Sequence, residues 1–302
     1  MTDYGNDLLF GVFITPAAEP VTHAVDLAVV ADRVGLDLVT FQDHPYQPRF
    51  HDTWTLLSYC AARTERVHLS GNVLNLPLRQ PAVLARSAAS LDRLTGGRIE
   101  MGLGAGGFWD AIEAMGGPRL TPGQRVTALE EAIEVIRQIW AADQRGGARV
   151  NGTHHRLDGA KRGPAPAHDI GIWLGAYKPK MLRLTGQVAD GWLPTLSYLP
   201  GGVGDLAQMN AHIDEAAAAA GRAPAQVRRL LNISGEFHRV GRSLFHGPPQ
   251  QWVEELAGLT RTYGITAFLL AADDATPIER FAAEVAPATR ELVTAERAAA
   301  PE

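Results

Sequence analysis

The first apolar segments of the chain alternate between two patterns. Residues 8–14 form an almost unbroken apolar run that is too short for a helix, as in a strand buried on both faces. In residues 21–34 apolar side chains recur every three or four positions, which predicts an amphipathic helix that ends at Gly35. The chain therefore begins with a strand and a helix, and a second strand follows.

The same alternation continues along the whole chain. It predicts strands at 8–14, 36–41, 67–74, 98–103, 172–174, around Trp192, at 227–233 and at 265–270. It predicts helices at 21–34, 54–63, 81–94, 121–140, 179–189, 206–220, 248–263 and from Thr276 onward. Thr121 and Gln124 have the spacing of a helix capping box, with Pro122 between them.

One segment breaks the alternation. Residues 143–168 are rich in glycine, proline and charge, and Asn151-Gly152 favours a tight turn, so they are predicted to form an inserted loop and hairpin. The remaining eight strand-helix units predict a (β/α)8 TIM barrel that forms a single domain over residues 1–302. A doubly wound open sheet with a cap domain is the alternative.

Composition and charge exclude several classes of protein. Of the 302 residues 46% are hydrophobic and 20% charged, as in ordinary globular proteins. Lys and Arg number 28 against 33 Asp and Glu, a net charge of -5, which argues against a nucleic-acid partner. No apolar stretch is long enough for a membrane span, and the start lacks a signal-peptide pattern, so a cytoplasmic location is predicted. The single cysteine, Cys60, is expected to be buried in a helix face.

The residues that follow each barrel strand are the candidates for chemistry, since they line one mouth of such a barrel. Asp43 and His44 follow the second strand, and an imidazole suits proton transfer near neutral pH. Together with His51 and Asp52 they lack a recognised metal-ligand spacing, so no metal site is predicted. His154-His155 is interpreted as a solvated pair in the inserted hairpin.

Three further loops reach the same mouth. Asn72 and Val73 end the third strand, and a glycine-rich turn follows the fourth strand, where the backbone can approach a flat ring closely. The residues of that turn are Gly104, Ala105, Gly106 and Gly107. After the fifth strand, the run Gly175, Ala176, Tyr177 and Lys178 leads into a helix whose free amides suit an anionic group.

These stretches together resemble the luciferase-like monooxygenase superfamily. The most specific are Asp43-His44, residues 91–104, 173–176 and 189–192, and the resemblance covers nearly the whole chain. It implies a barrel that binds flavin mononucleotide or the deazaflavin coenzyme F-420 at its mouth. The Asp-His pair is similar to that of the deazaflavin-dependent branch, which favours F-420.

The resemblance also implies roles for individual residues. Asp43 and His44 are expected to contact the cofactor ring, with His44 as proton donor or acceptor. The Asn72–Val73 peptide is expected to be cis, in a bulge that supports the ring. Gly104 to Gly107 are expected to border the ring or tail, and the turn from Gly175 to Lys178 to receive the cofactor phosphate.

The substrate is less constrained by the resemblance. Deazaflavin-dependent sugar-phosphate dehydrogenases carry glutamate where this chain has Gly107, and an aromatic residue where it has Arg49. Arg49, Trp109 and Trp192 are assigned to the substrate pocket, and no substrate is named.

The expected function is hydride transfer between F-420 and a small organic substrate. A flavin-dependent monooxygenase and a non-catalytic flavin-binding barrel are the alternatives. A homodimer is also expected, since barrels of this family usually pair through their outer helices and helix 82–94 carries small residues at Ala85, Ala88 and Ala89.

Overall fold

The computed structural model describes residues 2–299. Its strands are β1 Leu9–Ile14, β2 Leu38–Phe41, β3 His68–Gly71, β4 Leu74–Asn75, β5 Ile99–Gly104, β6 Ala148–Asn151, β7 Arg156–Ala160, β8 Ile172–Leu174, β9 Gly191–Trp192, β10 Arg228–Ile233, β11 Glu236–Phe237, β12 His246–Gly247 and β13 Ile265–Ala271. Its helices are α1 His23–Arg33, α2 Thr53–Ala61, α3 Pro81–Thr95, α4 Trp109–Ala114, α5 Pro122–Trp140, α6 Pro179–Val188, α7 Asp205–Ala219, α8 Pro249–Tyr263, α9 Ala275–Arg280 and α10 Ala286–Ala299.

Eight parallel strands close into a barrel. Around the ring the order is β1, β2, β3, β5, β8, β9, β10 and β13, and β13 pairs in parallel with β1. The ring closes on its other side through the pairing of β3 with β5, while β4 continues β3 and also pairs with β5. The predicted (β/α)8 barrel is confirmed, and the open-sheet alternative is wrong.

The inserted segment also has the predicted form. β6 and β7 pair antiparallel with Asn151 opposite Arg156, so the Asn151-Gly152 pair lies at the hairpin turn. Two features were not predicted from the sequence: the short helix α4, and the pairing of β11 with β12 after β10. Both lie in connections between barrel elements, where no long periodic pattern marks them.

The core has two layers because successive side chains of each strand point to opposite faces. One buried cluster fills the inside of the barrel and consists of Leu38, Trp173, Leu193, Leu230, Ala267 and Leu269. Alternate strand residues such as Phe10, Val39 and Phe268 pack outward against the helices, in a cluster that includes the buried Cys60. In the described part of the chain, no helix combines the length and the apolar character needed to cross a membrane.

The small residues of α3 do not face outward. Ala85, Ala88 and Ala89 are fully buried within this chain, and the Trp140 indole N–H donates to the Ala85 carbonyl at 2.8 Å. The large hydrophobic residues that α3 exposes are instead Val83 and Leu94. The three alanines therefore give no support to a homodimer, which stays a prediction.

The capping box of α5 provides a test of the local folding signals. The Thr121 hydroxyl accepts from the Gln124 N–H, and the Gln124 side chain accepts from the Thr121 N–H at 2.9 Å. Replacing Thr121 with Ala should lower the free energy of unfolding by about 1 kcal/mol, measured by urea denaturation. Thr127→Ala, an exposed change on the same helix, is the control and should cost less; equal losses would contradict a capping role for Thr121.

Candidate active site

A cavity of about 710 Å³ opens at the carboxyl ends of the barrel strands. Most of the residues singled out from the sequence line it, and we refer to it as the mouth cavity. Those residues are Asp43, His44, Asn72, Val73, Gly104, Ala105, Gly106, Gly107, Gly175, Tyr177 and Lys178. The loops that follow four different strands therefore converge on one site.

Asp43 is buried, and both of its carboxylate oxygens are occupied. Arg79 donates to them at 2.6 and 2.7 Å, and the Asn75 N–H donates at 2.8 Å. Arg79 also donates to Asp52 at 2.8 Å. Burial lowers the pKa of Arg79, but the hydrogen bonds and charges of the two aspartates outweigh it and raise the pKa above its ordinary value. Asp43 thus anchors the loop that carries His44.

His44 lies at the edge of the mouth cavity in an aromatic environment. Its Nδ1 is 2.6 Å from the Tyr46 hydroxyl oxygen, and its ring meets the Phe108 ring edge-on at 5.4 Å between centroids. Burial lowers the pKa of His44, and the nearby charge of Asp43 only partly opposes this. The imidazole is therefore neutral at pH 7 and is suited to accept a proton.

The floor of the mouth cavity is the bulge at Asn72–Val73. The peptide bond between these residues is cis, which confirms the prediction. The bulge needs neighbours without side chains: a Cβ on Gly104 would lie 2.6 Å from Val73 Cγ2. A Cβ on Gly102 would collide with the Gly71 carbonyl oxygen, so the lack of a side chain at Gly102 lets β5 approach β3 closely just below the bulge.

Buried amides hold this floor from beneath. The Asn72 side chain donates to Asn232 Oδ1 at 2.7 Å and to Thr40 Oγ1 at 3.2 Å. Asn232 donates back to Asn72 Oδ1 at 3.1 Å and to Thr195 Oγ1 at 3.0 Å. Nearly every polar atom of the pair is used, so the network fixes the orientation of Asn72.

Three cationic side chains line the mouth cavity. Lys178 and Lys180 line it at the start of α6, and Arg125 lines it from α5. No side chain caps the first turn of α6, so its backbone amides remain free for a ligand. Cations and free amides together favour an anionic group such as a phosphate or a carboxylate.

Two of the predicted site residues lie in the wall behind the mouth cavity. Trp192 is fully buried and donates through its indole N–H to the Ala176 carbonyl at 2.9 Å, and Ala176 is 1% exposed. In the strand pairing Trp192 is opposite Leu174, whereas Trp173 is opposite Gly191. Since Trp173 points into the barrel, Trp192 points outward toward the helices.

Two further predicted substrate contacts lie elsewhere. Arg49 is exposed, because its loop turns back toward β1 and its carbonyl accepts from the Ala18 N–H. Trp109 packs behind the glycine turn: a Cβ on Gly106 would lie 2.9 Å from its ring. Arg49, Trp109 and Trp192 are therefore not among the residues that line the mouth cavity, and their assignment to the substrate pocket stays a prediction.

Several residues of the site were missed in the sequence, among them Arg79, Asn232, Phe108 and Asn75. Arg79 binds Asp43, and Asn232 binds Asn72, but each partner is distant along the chain and carries no local motif. Phe108 takes a positive φ of 50° that turns its ring toward His44. Asn75 lines the mouth cavity, and its position directly after the third predicted strand was a usable signal.

Known proteins resemble this chain in sequence and in fold. The family model described as luciferase-like monooxygenase matches residues 8–234. The chain belongs to the luciferase-like monooxygenase family. An F420-dependent glucose-6-phosphate dehydrogenase of Nakamurella multipartita is 32% identical over 186 residues, which are 59% of this chain and 53% of that protein. The 5,10-methylenetetrahydromethanopterin reductase of Methanolobus tindarius is 34% identical over 191 residues, 63% of this chain and 55% of the reductase.

The chain matches only about half the length of each of these two curated relatives. Among solved structures, an F420-dependent secondary alcohol dehydrogenase in complex with an F420-acetone adduct superposes with a TM-score of 0.81. The match covers 94% of this chain and 99% of the dehydrogenase at 19% sequence identity, which shows the shared barrel fold.

The amide network predicts a measurable contribution to stability. Asn232→Ala removes the partner of two buried hydrogen-bonding groups of Asn72, so the free energy of unfolding should fall by about 1–3 kcal/mol in urea denaturation. Asn6→Ala removes one exposed hydrogen bond of 3.1 Å and should cost less. Equal losses for both variants would show that the network does not hold the floor.

Proposed function

We propose that this protein is an oxidoreductase that transfers a hydride between the deazaflavin coenzyme F-420 and a small organic substrate. The observation that carries the proposal is the neutral, half-buried imidazole of His44 beside a slot bordered by glycines and floored by Val73. Membership of the luciferase-like family and the F420-dependent relatives support it.

The residues of the mouth cavity fit such a cofactor. Gly104, Gly107 and Gly175 leave space for a flat ring over Val73, and Lys178 and Lys180 suit the phosphate and carboxylates of its tail. The side-chain oxygen Oδ1 of Asn75 is buried and accepts no hydrogen bond from the described residues. A ligand that donates an N–H or O–H would satisfy it.

The deazaflavin, when bound, supplies or accepts the hydride at ring carbon 5. The protein supplies the proton chemistry. When an alcohol is oxidised, its hydroxyl proton passes to the neutral imidazole of His44 as the hydride leaves the carbinol carbon; in the reverse direction the imidazolium returns the proton to the carbonyl oxygen. Asp43 is the only carboxylate among the described residues that line the cavity, and Arg79 holds it.

The choice of cofactor is tested by direct titration. Purified protein is titrated in parallel with F-420 and flavin mononucleotide, and fluorescence is recorded. We expect F-420 to bind at least about tenfold more tightly, because three cations line the cavity and F-420 carries more anionic groups than flavin mononucleotide. Tighter flavin binding with oxygen consumption would support the monooxygenase alternative, and tight binding without turnover of any redox partner would support the binding protein.

Replacing His44 with Ala tests the proton-transfer role. Turnover of a responsive alcohol or ketone from a substrate panel should fall by about 10² to 10⁴-fold, while F-420 affinity changes much less. His51→Ala is the control, since His51 contacts the Val21 carbonyl outside the cavity, and it should leave turnover unchanged. If His44→Ala retains the original rate, His44 has no part in the mechanism.

The lowered pKa of His44 predicts a pH dependence. Alcohol oxidation needs the neutral ring, so kcat/KM for oxidation should stay high at pH 7 and fall only as the pH drops through a value below the ordinary 6.5. A pH profile of kcat/KM measures this. An acid limb at or above 6.5 would contradict the buried, neutral imidazole.

The homodimer, the cytoplasmic location and the single-domain organisation stay predictions. Light scattering at micromolar concentration tests the first of these.

A further inference from the structure

A second group of functional side chains lies at the opposite end of the barrel from the mouth cavity. His68 is the first residue of β3, Glu100 is the second residue of β5, and His168 lies shortly before β8. Since β3, β5 and β8 are neighbours in the barrel, the amino-terminal ends of these strands bring the three side chains together. We refer to them as the His-Glu-His cluster.

Two of the three distances in this cluster match those between ligands of one metal ion. His68 Nδ1 lies 3.2 Å and His168 Nε2 lies 3.4 Å from the same oxygen, Glu100 Oε1. One donor atom from each residue lies within 4.8 Å of the other two. Two ligands bound to Zn²⁺ at about 2.0–2.1 Å with tetrahedral angles are separated by about 3.3–3.4 Å.

The residues around the cluster hold these ligands in place. The other oxygen of Glu100 accepts from the Gly171 N–H at 2.7 Å, which leaves Oε1 for the cluster. The other ring nitrogen of His168, Nδ1, lies 2.9 Å from Asp92 Oδ1, within ion-pair distance although the angle is not that of a hydrogen bond. A carboxylate behind a histidine is the usual support for a metal-bound imidazole, because it orients the ring and increases its basicity.

Asp92 is itself fixed. It is fully buried in α3, and its carboxylate accepts from the backbone N–H of Ile99 at 3.2 Å and of Ala167 at 2.7 Å. The outer carboxylate is thus set by the backbone of two separate segments. A solvent-exposed ion pair has no comparable support, because its side chains remain free to move.

An ion and water can reach the cluster. A cavity of about 380 Å³ opens at this end of the barrel and is lined by His68 and Glu100 together with Asp37, Arg66 and Trp173. Three protein ligands leave one position of a tetrahedral ion free, and water from this cavity can take it.

We propose that His68, Glu100 and His168 bind one divalent transition-metal ion, with Zn²⁺ as the best match to two imidazoles and one carboxylate. The ion joins three adjacent strands at the end remote from the mouth cavity, so it stabilises the barrel without touching the proposed cofactor. The sequence predicts no metal site here, because the three ligands lie 32 and 68 residues apart and have no motif spacing.

The chain offers a matched control. Glu236, His238 and His246 form a second group of the same composition. The Glu236 side chain is 71% exposed, against 13% for Glu100. The geometry therefore assigns the ion to the His-Glu-His cluster and not to this exposed group.

The experiment is a titration of chelator-treated protein with Zn²⁺ by calorimetry and with Co²⁺ by visible absorption. We expect one ion per chain, an intense four-coordinate Co²⁺ spectrum and a higher Tm with Zn²⁺. Glu100→Gln and His168→Gln should weaken binding by at least about 100-fold, while His246→Gln binds like the unaltered chain.

Each contrary result is decisive. Absence of stoichiometric binding to the unaltered protein overturns the proposal, and so does a loss of binding in His246→Gln. If the cluster variants fail to fold, two other measurements test the proposal. X-ray absorption of the unaltered zinc-loaded protein gives the ligand types and distances, and titration of His246→Gln shows whether the exposed group takes part. Two imidazole and additional oxygen ligands at about 2.0–2.1 Å, together with unchanged Zn²⁺ binding by His246→Gln, support the His-Glu-His cluster. Any other set of ligands refutes it.

Discussion

Two amides that bond to each other across the barrel set the shape of the mouth cavity. Asn72 follows β3 and Asn232 lies in β10, and these strands are diametrically opposite in the ring of eight. Their reciprocal hydrogen bonds fix the two sides of the mouth at one separation. Val73, one residue beyond, is therefore held at a defined height above the layer formed by Leu230 and Trp173. The glycines at 104 and 175 then leave room for it on two neighbouring strands.

A second constraint links the loop of His44 to the rest of the mouth. Asp43 is tied to Arg79 by two hydrogen bonds, and Arg79 is also bonded to Asp52 at the start of α2. The imidazole therefore projects from a loop that is anchored on both sides. Its neutral state follows from burial, with Tyr46 and Phe108 against the ring, and the charge of Asp43 only partly opposes this. Asp43 therefore anchors the loop, while burial sets the protonation state.

The sequence predicted most of the eight strands because they are largely buried and are read as short segments between helical patterns. The mouth loops were predictable for the same reason, since residues such as His44 and Gly104 directly follow those runs. Trp192 shows the limit of this approach. It also follows a predicted strand position, but β9 has only two residues, so the sequence leaves open which of them faces inward. The pairing with β8 decides that, and pairing is a property of the assembled sheet.

Residues that act through a distant partner were beyond the reach of sequence patterns. Arg79 and Asn232 acquire their roles from contacts separated by 36 and 160 positions in the chain, and neither residue type is unusual where it stands. The His-Glu-His cluster was hidden in the same way. Parallel barrels bring together side chains from one end of several strands, whereas motif spacing detects ligands that are close in sequence.

The pairing of β1 with β13 has a consequence for how the protein is made. The first and last barrel strands are neighbours, and Arg297 binds Asp3 through hydrogen bonds of 2.7 and 2.8 Å. During synthesis the ring stays open until residue 271 has left the ribosome, so the edge of β1 that pairs with β13 is bare for most of translation, and β10 lacks its β13 neighbour from its own emergence until then. Such edges invite pairing with other nascent chains, and a long wait for the closing strand makes protection by chaperones valuable to this fold.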